Sequence, residues 1–296
     1  MKSVIVNARA KINLTLDVLG KRNDGFHSVE MIMQSVELHD KVTLEETEQG
    51  IEAVTDHPLL LKSESNIAYK AARLLIDKLG IGKGVKISIS KNIPVAAGLA
   101  GGSTDAAAVL KGLNKLWNLR LSQNQLAEYG SVIGSDVPFC IQGGAALATG
   151  RGEKILSLPD VQQIWMVLAK PPLEVSTAEV YNNFKPECVT AKPNTQAVID
   201  AIQSGDEAGI RQGIVNALES VTLARYPQVS ELKLFMADQG IKLPLMSGSG
   251  PTVFGFVDSQ AEAEKIAGCL KEGRPELFVT VTRTWPSGLQ EFDTGE

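Results

Sequence analysis

Cysteine is scarce in this sequence, and the few cysteines present do not suggest a disulfide framework. The 296 residues include three, Cys140, Cys188 and Cys269, which lie far apart and form no C-x-x-C pair. An odd and scattered set of this kind is typical of buried or free thiols in a reducing compartment. We therefore predict thiols rather than disulfides, and a cytoplasmic protein.

Long apolar runs and clusters of basic residues are also missing. No apolar stretch approaches the ~18 residues of a membrane-spanning helix, and Arg9 and Lys11 interrupt any signal-peptide core. The net charge is −5, from 29 basic and 34 acidic residues, with no basic run. These absences argue against a membrane or a nucleic acid as partner. A negatively charged ligand would need local positive groups in its site.

Aromatic residues are few as well, at 5% of the chain, so individual aromatic side chains in a site could matter. The remaining composition, 44% hydrophobic and 21% charged, is that of a globular protein. A chain of 296 residues suits two modest domains or one large one. The sequence makes no prediction of oligomeric state.

The most informative segment is a glycine-rich stretch, residues 94–105, between a predicted strand at 85–90 and a predicted helix at about 104–117. Glycine lets the backbone approach an anion closely, and a helix start adds unpaired N–H donors and a positive dipole end. Ser103 and Thr104 could cap the helix or contact a phosphate or a metal. The stretch therefore predicts a phosphate-binding loop, with a tight turn and an ordinary cap as the alternative.

Two familiar phosphate motifs are excluded by spacing. The chain contains no G-x-x-x-x-G-K-[ST], and no G-x-G-x-x-G follows the first strand. The pattern that is present, Pro-x-x-x-Gly-Leu-x-Gly-Gly-Ser-[ST], resembles the phosphate loop of the GHMP small-molecule kinases. Val95, Ala96, Ala97 and Ala100 stand where such kinases often have glycine. The resemblance implies ATP binding by Pro94, Val95, Ala96, Ala97, Gly98, Leu99, Ala100, Gly101, Gly102, Ser103 and Thr104.

The amino-terminal residues 4–19 alternate in hydrophobicity and predict a strand or a strand pair. Lys11 and Asn13 then share one face of the strand. A lysine in a strand is usually an exposed face residue, and its role depends on what lies beside it. A polar loop follows and ends in Phe26 and His27, and further strands are predicted at 31–38 and 40–45 with a turn at residues 39–40.

Asp136 is the candidate general base. Ser122 and Gln125 form a predicted capping box that opens a helix to about residue 132, and Pro138 cannot continue that helix, which leaves Asp136 in a loop. A turn-stabilising or capping aspartate is the alternative. The Gly-x-Asp-Val-Pro pattern resembles the catalytic loop of the GHMP kinases, which implies the base that accepts the substrate hydroxyl proton. Lys11 beside it would favour the charged carboxylate or stabilise charge on the phosphoryl group.

The carboxyl-terminal half predicts a second α/β unit. A glycine-rich hairpin at 143–152 precedes a boundary near 155–160, so we predict domains at 1–158 and 159–296. The predicted elements are a central strand at 165–170, a capped short helix from Ser176 through Tyr181, helices at 195–203, 206–219, 228–239 and 260–271, and a strand at 277–284. The small-residue loop within 245–256 resembles a third GHMP motif that closes against the phosphate loop.

The segments 10–14 and 22–27 resemble the GHMP subgroup that phosphorylates a cytidylated methylerythritol in the non-mevalonate isoprenoid route. The resemblance implies an α+β, two-domain fold, with an amino-terminal domain like domain 2 of ribosomal protein S5 and a ferredoxin-like carboxyl-terminal sandwich. It implies transfer of the ATP γ-phosphoryl group to the substrate 2-hydroxyl, with Mg²⁺ bridging the phosphates and no protein ligand assigned to it. The substrate-binding residues would be Asn13, Phe26, His27, Thr177 and Tyr181.

Within that implied site, Phe26 and Tyr181 would stack on the cytosine and His27 would contact the base edge. A tyrosine in a first helical turn is otherwise a packing residue. Two further hypotheses remain: another GHMP kinase of the mevalonate or sugar type, and a catalytically silent nucleotide-binding protein of the same fold. Substrate profiling and a phosphoryl-transfer assay discriminate them.

Overall fold

Two long antiparallel strands form the centre of the larger of two sheets in a computed structural model, which describes residues 2–57, 66–288 and 292–293. β1 is Ser3–Lys21 and β2 is His27–Thr47. Their register shifts between Arg9 and Lys11, which changes the face on which the following side chains lie. Residues 10–16 of β1 are buried on both faces, because a second apolar layer covers this part of the sheet.

The rest of the larger sheet comes from shorter strands, with helices packed on one face. The strands are β3 (Ile51–Thr55), β4 (Gly84–Ser90), β5 (Ala145–Gly150) and β6 (Lys154–Ser157), in the order β3-β4-β2-β1 with β5 pairing both β2 and β6. The helices are α1 (Ile67–Leu79), α2 (Gly101–Leu116), α3 (Gln123–Ile133) and α4 (Val137–Gln142). Buried alanines and leucines of α1 and α2 pack against Leu44, Val85 and Ile87 of the sheet.

The smaller sheet belongs to the second half of the chain and is antiparallel throughout. Its strands are β7 (Trp165–Lys170), β9 (Leu245–Met246), β10 (Val253–Val257) and β11 (Phe278–Arg283), in the order β11-β7-β10-β9. The predicted strand at 165–170 is therefore confirmed as an interior strand. The helices here are α5 (Thr177–Asn182), α6 (Thr195–Ser204), α7 (Glu207–Gly213), α8 (Glu219–Arg225), α9 (Pro227–Asp238) and α10 (Gln260–Gly273).

Two short segments of the second half return to the first sheet. β8 (Val215–Asn216) runs parallel to β1 at Thr15 and Leu16, and β12 (Phe292–Asp293) pairs antiparallel with Ile5 and Val6. Both segments lie on the edge of β1 that faces away from β2. The predicted boundary at residue 158 stays a prediction, and the pairing shows that elements beyond it complete the first sheet.

Helix ends largely follow their sequence signals. Asn66 caps α1 by accepting from the Ala68 N–H at 2.9 Å, and Gly80 ends it at φ 63° in the left-handed region. The predicted capping box is present, since the Ser122 hydroxyl accepts from Gln125 N and the Gln125 side chain accepts from Ser122 N. Among the described residues, no helix is long and apolar enough to cross a bilayer.

The predicted turn at residues 39–40 is wrong, because β2 continues through both residues. Asp40 is fully buried and its carboxylate accepts from the backbone N–H groups of Asn92 and Ile93, so its polarity is satisfied inside the fold. The predicted helix at 206–219 is also wrong. α7 ends at Gly213, β8 follows, and α8 begins at Glu219.

Two helix starts differ from prediction. α2 begins at Gly101, which moves Ser103 and Thr104 from the cap into the first turn. Pro138 lies in the first turn of a short helix, α4, rather than in a loop. Proline is compatible with this position because the first N–H groups of a helix have no intrahelical acceptor. Asp136 is consequently the residue that precedes a helix.

Candidate active site

A cleft of about 800 Å³ lies between the two sheets and contains most of the predicted site residues. Its walls come from β1, the phosphate loop, the start of α2 and the residues before α4 on one side. The other wall comes from α5 and from Gly248 and Ser249 between β9 and β10. Residues that are distant in sequence therefore meet in one cavity, which is the usual form of a small-molecule site.

The phosphate loop has the backbone of a glycine-rich turn even where the sequence has alanine. Ala96 and Ala100 have φ values of 50° and 59°, and Gly98 has 74°, all in the left-handed region. An alanine held there is strained by roughly 1–2 kcal/mol, so the surrounding contacts must impose the conformation. Ala96 and Ala100, two of the residues that stand where such kinases often have glycine, thus adopt a backbone conformation that glycine adopts without strain.

The start of α2 provides the anion-facing part of the loop. Ala100 precedes the helix and no side chain of the described residues caps it, so the first N–H groups are available to a ligand. The backbone is closely packed: a Cβ on Gly101 would lie 3.1 Å from Ile93 Cγ2, and one on Gly102 would lie 3.2 Å from Ile67 Cδ1. Ser103 lines the cleft in the first turn.

Two predicted ATP-binding residues do not present side chains to the cleft. Thr104 is 2% exposed and its hydroxyl donates to the carbonyl of Arg9 at 2.6 Å, so it joins α2 to β1. Leu99 is 1% exposed and packs in the apolar layer on β1. Both side chains therefore have a structural part: Thr104 because α2 begins earlier than predicted, and Leu99 because it belongs to the apolar layer on β1. The other predicted loop residues, Pro94, Val95, Ala96, Ala97, Gly98, Ala100, Gly101, Gly102 and Ser103, line the cleft.

A second glycine loop, residues 247–252 between β9 and β10, closes against the phosphate loop, as predicted. The Ser247 hydroxyl donates to the Gly98 carbonyl at 3.0 Å. A Cβ on Gly98 would lie 2.2 Å from the Ser247 carbonyl oxygen, so only glycine permits this approach. The buried Asn216 side chain fixes the second loop by donating to the Met246 and Gly248 carbonyls at 2.8 and 2.7 Å.

Lys11, Asn13 and Asp136 meet at the centre of the cleft. Lys11 Nζ donates to Asn13 Oδ1 at 2.7 Å and lies 3.7 Å from Asp136 Oδ2. Asn13 is fully buried and its amide contacts Met31 Sδ at 3.2 Å. The lysine is 5% exposed rather than an exposed face residue, because the phosphate loop and the second glycine loop cover it. Lys11 therefore lies beside the Asp136 carboxylate, and Asn13, on the same face of β1, bonds to Lys11 rather than to the carboxylate.

Asp136 precedes α4, yet its carboxylate does not bond to any helix N–H among the described residues. Its side chain is 30% exposed toward the cleft. The capping alternative is therefore not supported by the geometry. A carboxylate beside an ammonium group and open to the cavity can accept a proton from a bound hydroxyl group.

The aromatic residues of the predicted clamp reach the same cleft, in an arrangement that differs from a simple sandwich. The rings of His27 and Tyr181 contact each other with centroids 5.5 Å apart and planes inclined by 33°. Phe26 is 52% exposed at the mouth, with the Arg151 guanidinium 5.0 Å from its ring centroid. Stacking of a base between Phe26 and Tyr181 stays a prediction.

The environment of these rings also affects their protonation. Two causes lower the pKa of His27: burial has the larger effect and the charge of Lys21 the smaller. The ring therefore favours the neutral form. Burial raises the pKa of Tyr181 well above its ordinary value, and the charge of Asp136 adds a smaller effect in the same direction. A neutral imidazole offers one donor and one acceptor, and a neutral phenol offers one of each, which suits recognition of an uncharged base edge.

α5 is held in place by contacts at both ends. Ser176 caps it by accepting from Glu179 N, and the hydroxyl groups of Thr177 and Ser249 lie 2.9 Å apart. Ser176 caps the helix without a reciprocal bond from Glu179, whose carboxylate binds Arg225 and accepts from the Tyr226 hydroxyl. These contacts fix the helix that carries Tyr181.

Sequence reasoning missed two cations of the cleft, Lys91 and Arg151. Arg151 lies between two glycines in the β5–β6 hairpin, which was interpreted only as a domain boundary. The signal that could have identified Arg151 is its place between Gly150 and Gly152, in a turn that follows the segment around Asp136. Lys91 ends the strand before the phosphate loop and pairs with Asp40 and Asp105. Arg151 supplies local positive charge for an anionic ligand, whereas the charge of Lys91 is balanced by its paired carboxyl groups.

The described residues contain no group of three His, Cys, Asp or Glu side chains that could enclose a metal ion. Mg²⁺ seldom needs one, because it keeps several waters and is usually held by substrate phosphates with one or two carboxylates. The donor set of the cleft therefore fits an ion carried by nucleotide phosphates rather than a protein cage. We assign it no protein ligand.

Comparison with known proteins agrees with this geometry. Models for the GHMP kinases N terminal domain and the GHMP kinases C terminal match residues 66–144 and 198–275. The 4-diphosphocytidyl-2-C-methyl-D-erythritol kinase of Bacillus cereus strain B4264 is 51% identical over 269 residues, which cover 90% of this chain and 93% of that protein.

Solved structures give the same result. A crystal structure of 4-(cytidine 5'-diphospho)-2C-methyl-D-erythritol kinase is 31% identical, with a TM-score of 0.81, over 95% of this chain and 98% of that one. Homoserine kinase from Cytophaga hutchinsonii has a TM-score of 0.75 at 20% identity, over 99% of this chain and 97% of that one, which is a likeness of fold. The chain therefore belongs to the GHMP kinases, a family of two-domain α+β phosphotransferases. Its relatives at high identity place it in that family's 4-diphosphocytidyl-2-C-methyl-D-erythritol kinase group.

Proposed function

We propose that this chain transfers the γ-phosphoryl group of ATP to the 2-hydroxyl group of 4-diphosphocytidyl-2-C-methyl-D-erythritol, a step of the non-mevalonate route to isopentenyl diphosphate. One observation carries the proposal. Lys11 Nζ and Asp136 Oδ2 lie 3.7 Å apart in the cleft that also contains the glycine-rich loop and the His27–Tyr181 pair. A base, an anion cradle and an aromatic recognition element thus share one cavity.

In the proposed reaction, Asp136 accepts the proton of the substrate hydroxyl as its oxygen attacks the γ-phosphorus. The bond between that phosphorus and the β,γ-bridging oxygen breaks, and ADP leaves with the bond's electron pair. Lys11 is fixed by Asn13 and would stabilise the developing negative charge or keep Asp136 ionised. Both roles require the ammonium group of Lys11 to lie beside Asp136, as it does here.

ATP would be held by the backbone of residues 94–103 and by the positive end of α2. Mg²⁺ bound to the phosphates would neutralise part of their charge. The protein supplies the orientation, because phosphoryl transfer depends on in-line placement of the attacking and leaving oxygens. A cytoplasmic location stays a prediction from the sequence.

The other end of the substrate would lie against α5 and the loop between β1 and β2. Tyr181, His27 and Phe26 supply ring faces and neutral polar edges, and Thr177 supplies a hydroxyl group bonded to Ser249. Arg151 at the mouth supplies a positive charge where a diphosphate linkage would pass. This combination favours a nucleotide-linked acceptor over mevalonate or a free sugar, which have no base to stack.

The test is a substrate comparison under one set of conditions. Purified protein with MgATP is offered the cytidylated methylerythritol, methylerythritol 4-phosphate, mevalonate and homoserine, and ADP formation is measured. We expect turnover with the cytidylated compound alone. Equal turnover with methylerythritol 4-phosphate would exclude the base clamp, and turnover with mevalonate or homoserine would favour another GHMP kinase. The absence of any turnover, with ATP still bound, would indicate the silent nucleotide-binding protein.

A further inference from the structure

A buried cluster of three charged residues lies directly behind the phosphate loop. Lys91 follows β4, Asp40 lies in β2, and Asp105 is the fifth residue of α2. Lys91 Nζ donates to Asp40 Oδ2 and, at 2.7 Å, to Asp105 Oδ2. The exposed side-chain fractions are 4% for Lys91, 0% for Asp40 and 4% for Asp105. One ammonium group therefore serves two carboxyl groups away from bulk water.

The cluster connects β2, the end of β4 and α2, the three elements between which the phosphate loop is held. Asp40 Oδ1 also accepts from the N–H groups of Asn92 and Ile93 at 2.6 and 2.8 Å, which fixes the two residues directly before the loop. Lys91 N donates to Asp56 Oδ1 at 3.0 Å on the outer side. A Cβ on Gly101 would lie 3.5 Å from Lys91 Nζ, so the ammonium group is packed against the first residue of α2.

The two carboxyl groups have unequal surroundings. Asp40 accepts three hydrogen bonds through its two oxygens. Asp105 accepts one through Oδ2, whereas its Oδ1 is buried and has no hydrogen-bond partner among the described residues. An ionised carboxylate with an unsatisfied buried oxygen is costly, and a neutral acid in the same place is much less so.

We propose that Asp40, Lys91 and Asp105 form a positioning cluster for the ATP phosphate loop, in which Asp105 is a neutral acid while nucleotide is bound. The inference rests on the proposed binding of ATP at this loop. With Asp105 neutral, one ammonium group balances one carboxylate, and no net negative charge lies beneath the phosphates. With Asp105 ionised, a buried negative charge would repel the phosphates and would offset part of the attraction that the positive end of α2 exerts on them.

The shift in the pKa of Asp105 agrees with its buried position and its unsatisfied oxygen. Burial raises the pKa of Asp105 to about 8, Lys91 opposes that rise, and the neighbouring Asp40 adds to it. Among the described residues, the charged groups that face Asp105 are these two, with Asp56 behind Lys91. Deprotonation of Asp105 as the pH rises through about 8 should therefore weaken ATP binding.

The experiment is calorimetric titration with MgATP, without acceptor, at pH 7 and pH 9. Wild-type protein is compared with Asp105→Asn, which mimics the neutral acid, and with Asp105→Leu, a second neutral side chain in case the amide disturbs folding. We expect wild-type affinity to fall about three- to tenfold between the two pH values, as for one added charge near the phosphates. Asp105→Asn should match wild type at pH 7 within about twofold and change by less than about twofold at pH 9.

Steady-state kinetics supply a readout that a purely structural role would not move. For the wild type, the KM for ATP should rise with pH while kcat and the KM for the acceptor follow the same pH profile as in Asp105→Asn. Wild-type affinity that is equal at pH 7 and 9, or an equal loss in Asp105→Asn, would overturn the cluster's role. Failure of the wild type to bind MgATP at pH 7 would overturn the ATP site itself, and with it this inference.

Discussion

The two ends of the cleft are built differently. The phosphate end is a continuous piece of chain, residues 91–105, fixed by buried charges and by backbone contacts with the second glycine loop. The base end is assembled from the loop before β2 and from α5, a helix of six residues, and it includes a half-exposed Phe26. The phosphate end is thus preorganised by local sequence, whereas recognition of the acceptor depends on how distant segments meet.

Substitutions should therefore fall into two groups. Changes at the phosphate end should weaken the binding of ATP, and changes at the base end should weaken the binding of the acceptor. Asp136 lies between the two ends and should affect neither affinity strongly. The following predictions test that division, beginning with the largest expected effect.

Asp136→Asn should lower kcat by ~10²–10⁴-fold, because the amide keeps the shape but cannot accept the proton. The affinity for MgATP should stay within about twofold, since the phosphate loop does not depend on this carboxylate. Single-turnover kinetics and calorimetry measure the two quantities. Asp77→Asn, at an exposed carboxylate of α1 paired with Arg73, is the control that should keep full activity. A near wild-type kcat in Asp136→Asn would contradict the general-base assignment.

Tyr181→Ala should raise the KM for the cytidylated acceptor roughly 5- to 150-fold, on the estimate of ~1–3 kcal/mol for each ring stacked on a base. The KM for ATP should change by less than about twofold, because the adenine would bind elsewhere. The matched variant is Tyr181→Phe, which keeps the ring and should therefore lose less affinity for the acceptor than Tyr181→Ala, by the share that comes from stacking. Should both KM values rise together, the two ends of the cleft would not be separate.

Gly101→Val should raise the KM for ATP about tenfold and leave the acceptor KM unchanged. Its Cβ would lie 3.1 Å from Ile93 Cγ2 and 3.5 Å from Lys91 Nζ, so the branched side chain must displace the loop or fill the space above it. Steady-state kinetics with a circular dichroism check of folding give the answer. Gly82→Val, where a Cβ meets nothing within 4 Å, is the folding control. Unchanged ATP kinetics in a folded variant would make the loop structural only.

Ala100→Gly should have the smallest effect, a stabilisation of about 0.5–1 kcal/mol. The alanine is held at φ 59°, where glycine is unstrained, although glycine also gains entropy in the unfolded chain. Urea denaturation measures the difference, and Ala106→Gly inside α2 should destabilise by a similar amount. A destabilised Ala100→Gly would show that the alanine methyl group contributes packing that outweighs the strain.

The sequence predicted the phosphate end well because its signals are local. A strand, a glycine-rich turn and a helix follow one another within a short segment, and even Ala96 and Ala100 keep the backbone that glycine would adopt. The contact between the glycine loops was also predicted, and Ser247 makes it. Pairing of Lys11 with Asp136 needed the resemblance to a family, since no local pattern connects residues so far apart.

What sequence could not provide was context that comes only from packing. Asp40 looks like a turn residue, yet three hydrogen bonds keep it inside β2. Pro138 looks like a helix breaker, yet it lies in the first turn of α4, where its missing N–H costs little. Residues 206–219 have a helical composition, but pairing of β8 with β1 interrupts them. For Asp40 and for residues 206–219 a long-range contact overrode a local preference, whereas Pro138 follows a local rule that depends on where α4 begins.

The outer edge of β1 has a consequence for how this chain can be synthesised. β8 and β12, which cover that edge, are translated long after β1 and β2. A nascent chain that has completed only residues 1–158 therefore has Ile5, Val6, Thr15 and Leu16 on an open strand edge, with unpaired N–H and C=O groups. The residues between the two covered stretches of β1 include Lys11 and Asn13, so the edge that is covered last lies beside the Lys11–Asp136 pair. The first half alone therefore cannot complete its sheet during synthesis, because the pairing of β12 with β1 forms only after the second half has been translated.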